Sequence, residues 1–358
     1  MDAESLRAKR CNGIVLSAGR SRRRERCRHD GPERISLTNR LRWGCLVVTM
    51  MELRDDRPVV VGINGSPGTY RQAVAFALRE AAFRRSAVRL VHGCQPLGVR
   101  RVAGNGQPTE EQLRQARRQL RAAAHWARQY SADDSPVVCR IHPGSGVNAL
   151  VEESRTAALV VVQRREISIL RSLSQLGSTT SAVTAKAQCP IVVLRPASVL
   201  GRAGAGVVVS IEDPITDQYA LRVAFEEATV RGAHLTVLSV STQPPAELAS
   251  VASQAAAPRR DLAGSVAGHG SSQAVALYAG LFPNVLVRHH VLDTPTMEGL
   301  AKGSSGAELL IVERGRTADG RSPRLSAVAR ECVNAVTCPV MIVGPGQVGL
   351  VRELVSTP

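Results

Sequence analysis

The chain is written twice. A run that starts at Val59, VVVGINGSPGTYRQAVAFALREAAFRRSAVRLVHG, returns 148 positions later as VVVSIEDPITDQYALRVAFEEATVRGAHLTVLSV from Val207. Leu159-Val160-Val161-Val162-Gln163-Arg164 is echoed by Leu309-Leu310-Ile311-Val312-Glu313-Arg314, and Cys189-Pro190 before Ile191 to Leu194 is echoed by Cys338-Pro339 before Val340 to Val343. Three matched blocks at nearly constant offset require two copies of one fold. Each copy, at about 140 residues, is long enough to bury its own core.

With 44% hydrophobic residues and a mean hydropathy of -0.04, the chain has the composition of a globular protein. No apolar run approaches the roughly 20 residues that span a bilayer. The eight cysteines show no paired spacing and no histidines at zinc-ligand distance, so they read as reduced thiols of a cytoplasmic protein. Cys189 and Cys338 read as small buried hydrophobes at strand entrances. The net charge is +16, of which +7 falls in the first 50 residues. That segment has no helix or strand period and is expected not to pack. Met50 or Met51 is expected to be the natural start. A basic arm for nucleic acid is the competing reading, but Trp43 is its only aromatic.

Pro58 to Asn64 is β-branched and apolar, the pattern of a strand buried on both faces. Ser66-Pro67 and Thr69 supply turn and cap chemistry for a helix carrying Ala73, Val74, Ala77, Leu78, Ala81 and Ala82 inward. Val88 to Val91 is a second strand. Thr109-Glu110-Glu111-Gln112 is a capping box opening a helix to about Tyr130. Strand Val137 to Ile141, helix Val147 to Arg155, strand Ala158 to Gln163, helix Ser178 to Ala187 and strand Ile191 to Leu194 complete the unit. Alternation of this kind gives an α/β fold with a doubly wound parallel sheet. The second copy follows the same course, with residues 241–273 its least regular stretch.

The ordered pieces VVVGINGSP, REAAFRRSAVRLVHG, a turn at Gly144, LVVVQR, GSTTSAV and CPIVVLRP resemble a universal stress protein domain, and the chain resembles the tandem, actinobacterial type over about 290 of 358 residues. The resemblance implies two tandem doubly wound parallel five-stranded sheets of strand order 3-2-1-4-5, like adenine nucleotide alpha-hydrolases. The expected domains are 56–197 and 207–346, joined by linker 198–206, with a disordered basic extension 1–55 and a tail 347–358. It also implies that the last strands pair between the domains, giving an internal pseudo-dimer; a homodimer stays open, and the absence of a spanning apolar run leaves no membrane partner expected.

Some members of the family bind ATP through an Asp after the first strand and a Gly-x2-Gly-x9-Gly-[Ser/Thr] loop after the fourth, where glycine lets backbone N–H groups reach phosphate oxygens. Carried over, that site would comprise Gly62, Asn64 in place of the Asp, Gly144 beneath the base, Arg164 in place of the first glycine, Gly177, Ser178 and Thr179. Ile167 takes the second glycine position, and Arg165 and Arg171 could add side-chain contacts to phosphate. In the second copy Ser210 and Glu212 replace Gly62 and Asn64, Asp293 replaces Gly144, and no Gly-Ser pair follows Arg314. ATP, with any magnesium it carries, is thus expected in the first domain at most, and no metal otherwise. Plain structural roles fit too: turn glycines, Ser178 as a helix cap, and His142, His289 and His290 as surface or rim residues with no acid or thiol spaced to make a metal set or a triad with them. No P-loop, nucleophile elbow or paired carboxylates point to an enzyme. Three readings stay open: a stress-response module with a degenerate ATP site, a nucleotide-binding regulator using the first domain, and a nucleic-acid binder through the basic arm, with nucleic acid the least expected.

Overall fold

The computed structural model describes residues 56–65, 67–95, 107–131, 135–164, 178–196, 198–201, 204–212, 217–240, 269–292, 297–315 and 325–344. All fall within one compact unit, Thr49–Pro358. The first half contains β1 (Val59–Gly62), α1 (Arg71–Arg84), β2 (Val88–Cys94), α2 (Glu110–Tyr130), β3 (Val137–Pro143), α3 (Gly146–Glu153), β4 (Leu159–Gln163), α4 (Ser178–Lys186) and β5 (Ile191–Leu194). The second contains β6 (Val207–Ile211), α5 (Gln218–Arg231), β7 (Leu235–Val240), α6 (His269–Leu281), β8 (Val287–Leu292), α7 (Met297–Gly303), β9 (Leu309–Glu313), α8 (Ala327–Ala335) and β10 (Val340–Val343).

Each half has the strand order 3-2-1-4-5, but the two expected sheets are one. The order across the molecule is β3-β2-β1-β4-β5-β10-β9-β6-β7-β8. Pairing is parallel throughout except at the centre, where β5 and β10 run antiparallel with Met341 opposite Val192. The reason is physical: Ile191 to Leu194 and Val340 to Val343 are at most 2% exposed, and an apolar edge left open would strand a row of backbone groups. One apolar layer lies between the sheet and α1, α2, α5 and α6, where Phe76, Leu120 and Phe225 are buried. The other lies beneath α3, α4, α7 and α8, where Leu150, Val183, Leu300 and Val333 are buried.

Local chemistry explains the helix ends. At α2 the capping box is closed, with Gln112 N–H donating to Thr109 Oγ1 at 3.3 Å and Thr109 N–H to Gln112 Oε1 at 2.8 Å. At α1 the expected cap is not the one used: Tyr70 holds the N-cap position without a side-chain hydrogen bond, after a short 3-10 turn at Pro67–Thr69. Ser66 lies outside the described residues. Both α1 and α5 end on a left-handed residue, Arg85 at φ 52° and Gly232 at φ 59°. Residues 1–55 and 241–268 also lie outside the described residues. Among the described residues no helix is long and apolar enough to cross a membrane.

Where α1 meets α5, four charges are sealed in. Arg84 Nη1 donates to Glu80 at 2.5 Å and its Nη2 to Glu227 at 2.5 Å, while Arg231 Nη2 donates to both Glu80 oxygens at 2.6 and 2.7 Å and Nη1 to Glu227. None of these side chains is more than 4% exposed. Glu80 and Glu227, and Arg84 and Arg231, occupy the same turns of α1 and α5, so each half contributes one acid and one base to a closed ring.

Candidate functional site

The expected nucleotide positions gather at the carboxyl ends of β1 and β4 and at the loops that follow. Gly62 closes β1, where an added Cβ would stand 3.0 Å from Leu150 Cδ1, so glycine lets α3 settle against the strand. Its replacement Ser210 is 4% exposed, and its hydroxyl makes no hydrogen bond. Asn64 follows, exposed. In the second half, Glu212 N–H donates to the buried Asp217 carboxylate at 2.7 Å. Burial, then the Asp217 charge, raises the Glu212 pKa.

Gly144 takes φ 99° with its N–H donating to Cys94 O at 3.0 Å; open space surrounds its Cα, so the left-handed backbone alone asks for glycine. Ser145 then caps α3, its Oγ accepting from Asn148 N–H at 3.2 Å. Gly93 is a glycine that sequence reasoning passed over: a Cβ there would lie 2.4 Å from Gly146 N, because β2 and the start of α3 cross backbone to backbone. Thr179 is exposed in the first turn of α4, which Ser178 opens. Gly177, Arg165, Ile167, Arg171 and Asp293 lie outside the described residues.

Arg164 follows β4, with its N–H donating to Leu194 O at 2.7 Å. Its guanidinium crosses the central seam, Nη1 donating to Asn334 Oδ1 of α8 at 2.5 Å. Beside it, Arg195 Nη1 donates to Val336 O at 3.0 Å. Desolvation, then the Arg195 charge, lowers the Arg164 pKa, although a guanidinium stays protonated at neutral pH. The counterpart Arg314 makes the reverse crossing. It is 7% exposed, and Nη1 donates to Thr184 O at 3.3 Å and Ala187 O at 2.9 Å, at the carboxyl end of α4. A Cβ on Gly344 would come within 2.6 Å of this guanidinium, so glycine there makes room for it. A cation at a helix carboxyl end satisfies open carbonyls and complements the helix dipole. The two arginines that replace nucleotide-loop glycines or follow the fourth strands thus reach helix ends of the opposite half.

His142 has an acid partner that chain spacing does not reveal: its Nε2 lies 2.7 Å from Glu153 Oε1, and the same buried carboxylate accepts from Arg89 at 2.5 Å and Arg140 at 3.3 Å. Burial would raise the Glu153 pKa, but hydrogen bonds from Arg89 and His142 and the neighbouring positive charges leave it lowered. His142 and Glu153 are eleven positions apart in the chain, and only the fold of α3 over β3 joins them. His289 Nε2 lies 2.7 Å from Ser239 Oγ, and burial followed by His290 lowers its pKa. Cys189 and Cys338 are each 2% exposed, and burial pushes their thiols up to about 12 and about 11. Among the described residues, no three His, Cys, Asp or Glu side chains gather as metal ligands would.

Comparison with known proteins adds a pattern and a fold. The family described as "Universal stress protein family" matches residues 57–195 and again 206–344. A universal stress protein of Mycobacterium tuberculosis is 31% identical over 195 residues, covering 53% of this chain and 68% of the relative. One from Mycolicibacterium smegmatis is 25% identical over 307 residues, covering 83% of this chain and all of the relative. The crystal structure of a universal stress protein from Archaeoglobus fulgidus superposes with a TM-score of 0.60 at 11% identity, over 82% of this chain and all of that one, a likeness of fold.

Proposed function

The chain belongs to the universal stress protein family as a tandem of two units, and we propose that it is a non-catalytic stress-response module in which the ancestral phosphate-loop positions clasp the two halves together. One observation carries this reading. Arg164, where the resemblance calls for the first loop glycine, directs its guanidinium to Asn334 across the seam, and Arg314 answers it at Thr184 and Ala187. A side chain at that position also takes the room through which backbone N–H groups would meet phosphate. The residues present therefore do not fit a backbone-cradled triphosphate. In the second half the adjoining carboxylates of Glu212 and Asp217 add repulsion toward a polyanion.

A second reading, adenine nucleotide held by the first half alone, is supported by the turn at Gly144, where φ is 99° and nothing lies within 4 Å of where a Cβ would stand. Titration calorimetry of the full chain with Mg-ATP separates the two. The module reading expects no saturable heat at millimolar nucleotide, and Arg164→Gly to lower stability without creating strong binding. A stoichiometric isotherm abolished by Gly144→Val would favour the regulator.

A further inference from the structure

Among the described residues the ten-stranded sheet ends in β3 on one side and β8 on the other. At one end β3 pairs only with β2 among the described residues. Val88 N–H donates to Pro136 O at 2.8 Å below the strand, and Gly144 N–H to Cys94 O at 3.0 Å above it. In a parallel ladder alternate residues face the neighbour, so Val138, Arg140 and His142 turn their backbone groups to β2. The backbone groups of Val137, Cys139 and Ile141 face outward. Most of this edge is accessible: Val138 is 46% exposed, and Cys139 and Arg140 are exposed as well.

Above the edge lies α2. Its inner face is Ala116, Leu120, Ala123, Ala124 and Ala127, and its flank toward α1 carries Trp126, over which Arg71 sits at 5.8 Å. By helical spacing the opposite flank carries Arg117, Arg121 and Arg128, all exposed, and the Arg128 charge is felt by the Cys139 thiol of β3. Arg121 and Arg128 have no acidic partner among the described residues. Arg117 reaches Glu110 at 3.3 Å with both side chains more than half exposed, a pairing weak enough to yield to a competitor. The fold does not require this row: α6, the counterpart helix, has no charged Asp, Glu, Lys or Arg in HGSSQAVALYAGL.

We propose that the outer edge of β3 binds an extended acidic segment of a partner protein, which joins the sheet as a further strand with its carboxylates beneath the arginine row of α2. Main-chain hydrogen bonds to Val137, Cys139 and Ile141 give the register. Alternate side chains of the added strand fall on opposite faces, so acids meet Arg117, Arg121 and Arg128 while apolar residues meet Val138. Arginines beside an open edge also repel basic strands and a second copy of the same edge, which restricts the partner. This goes beyond the proposed function and is tested separately, since nucleotide titration concerns the ends of β4 and β9 and the peptide concerns β3.

The probe is a fluorescein-labelled peptide of four Glu-Val repeats, titrated by anisotropy against the full chain in 50 mM and 500 mM NaCl. Saturable binding weakened by salt is expected, with no binding of the Lys-Val analogue. Arg121→Glu with Arg128→Glu should weaken it at least tenfold, and Cys139→Pro, which removes one outward N–H at a tolerated edge position, about fivefold. Circular dichroism melts establish that both variants are folded. Hydrogen exchange gives a second readout: bound peptide should protect the Cys139 and Ile141 amides. Equal binding of the lysine peptide, no saturation at millimolar peptide, or protection elsewhere would overturn the proposal. So would capture of a single-stranded oligonucleotide that blocks the peptide yet leaves those amides unprotected.

Discussion

Replacing Glu80 with leucine should be among the most damaging single changes in the chain. The carboxylate is 0% exposed and accepts from Arg84 Nη1 at 2.5 Å and from Arg231 Nη2 at 2.6 and 2.7 Å. Its loss leaves two buried guanidiniums facing Glu227, with Glu308 a more distant neighbour at 3.9 Å from Arg231 Nε. Breaking a buried ion pair on one side costs about 3–5 kcal/mol. At about 2 °C per kcal/mol for a protein of this size, the melting temperature should fall by roughly 6–10 °C. The informative control removes the whole set: Glu80→Leu, Arg84→Met, Glu227→Leu and Arg231→Met, with Glu308→Gln because Glu308 is 1% exposed and lies 3.9 Å from Arg231 Nε. An apolar replacement of an entire buried ring is often neutral or stabilising, so this variant should melt within about 3 °C of the parent or above it. Differential scanning calorimetry of both decides. A single variant shifted by less than about 2 °C, or a fivefold variant that melts below the single one, would refute the ring as a coupled electrostatic unit.

Four further outcomes are expected. Gly93→Ala should cost about 2–3 kcal/mol in urea denaturation, because its Cβ would meet Gly146 backbone at 2.4 Å and no side chain can move aside. Arg85→Gly should stabilise by about 0.5–1 kcal/mol in the same assay, since Arg85 holds φ 52° where the second half has Gly232. Iodoacetamide at neutral pH should label Cys139 in the native chain and spare Cys189, which is buried with its thiol pushed up to about 12; mass spectrometry of the alkylated protein reads this directly. Glu80 and Glu153 both titrate below the ordinary 4.5 in the folded chain, because guanidinium neighbours outweigh burial. Their contribution is therefore present above pH 4.5 and lost as pH falls through the lower folded values, and urea midpoints should drop below pH 4.5, less steeply in Glu80→Leu.

Much of the fold was written in local pattern. The β-branched runs at Val59 and Leu159 gave buried parallel strands, and Thr109 with Gln112 marked the start of α2 to the residue, because propensity, burial and capping act over a few positions. The repeat showed that the fold is built twice, and the family resemblance brought in the strand order. What escaped were contacts made between distant segments. Glu80 and Arg84 read as ordinary members of an amphipathic helix, and only the packing of α1 on α5 shows why they are buried. Their one sequence signal was the matching Glu-x3-Arg at Glu227 and Arg231. The acid beside His142 was missed for the same reason, and Gly93 looked like any strand glycine until α3 crossed it. At the candidate site the sequence showed which glycines had been replaced, but the destination of the Arg164 side chain required the seam between β5 and β10.

The claim that these arginines serve the seam and not a phosphate chain is tested most directly by thermal denaturation of the full chain with and without 5 mM Mg-ATP, alongside Arg314→Ala. Occupancy at a hundred times the dissociation constant would stabilise by about 2.7 kcal/mol, or several degrees. The account predicts an unchanged melting temperature with nucleotide and a clear fall for Arg314→Ala, which removes the guanidinium that donates to the Thr184 and Ala187 carbonyls. A nucleotide-dependent rise of several degrees, with Arg314→Ala as stable as the parent, would contradict it.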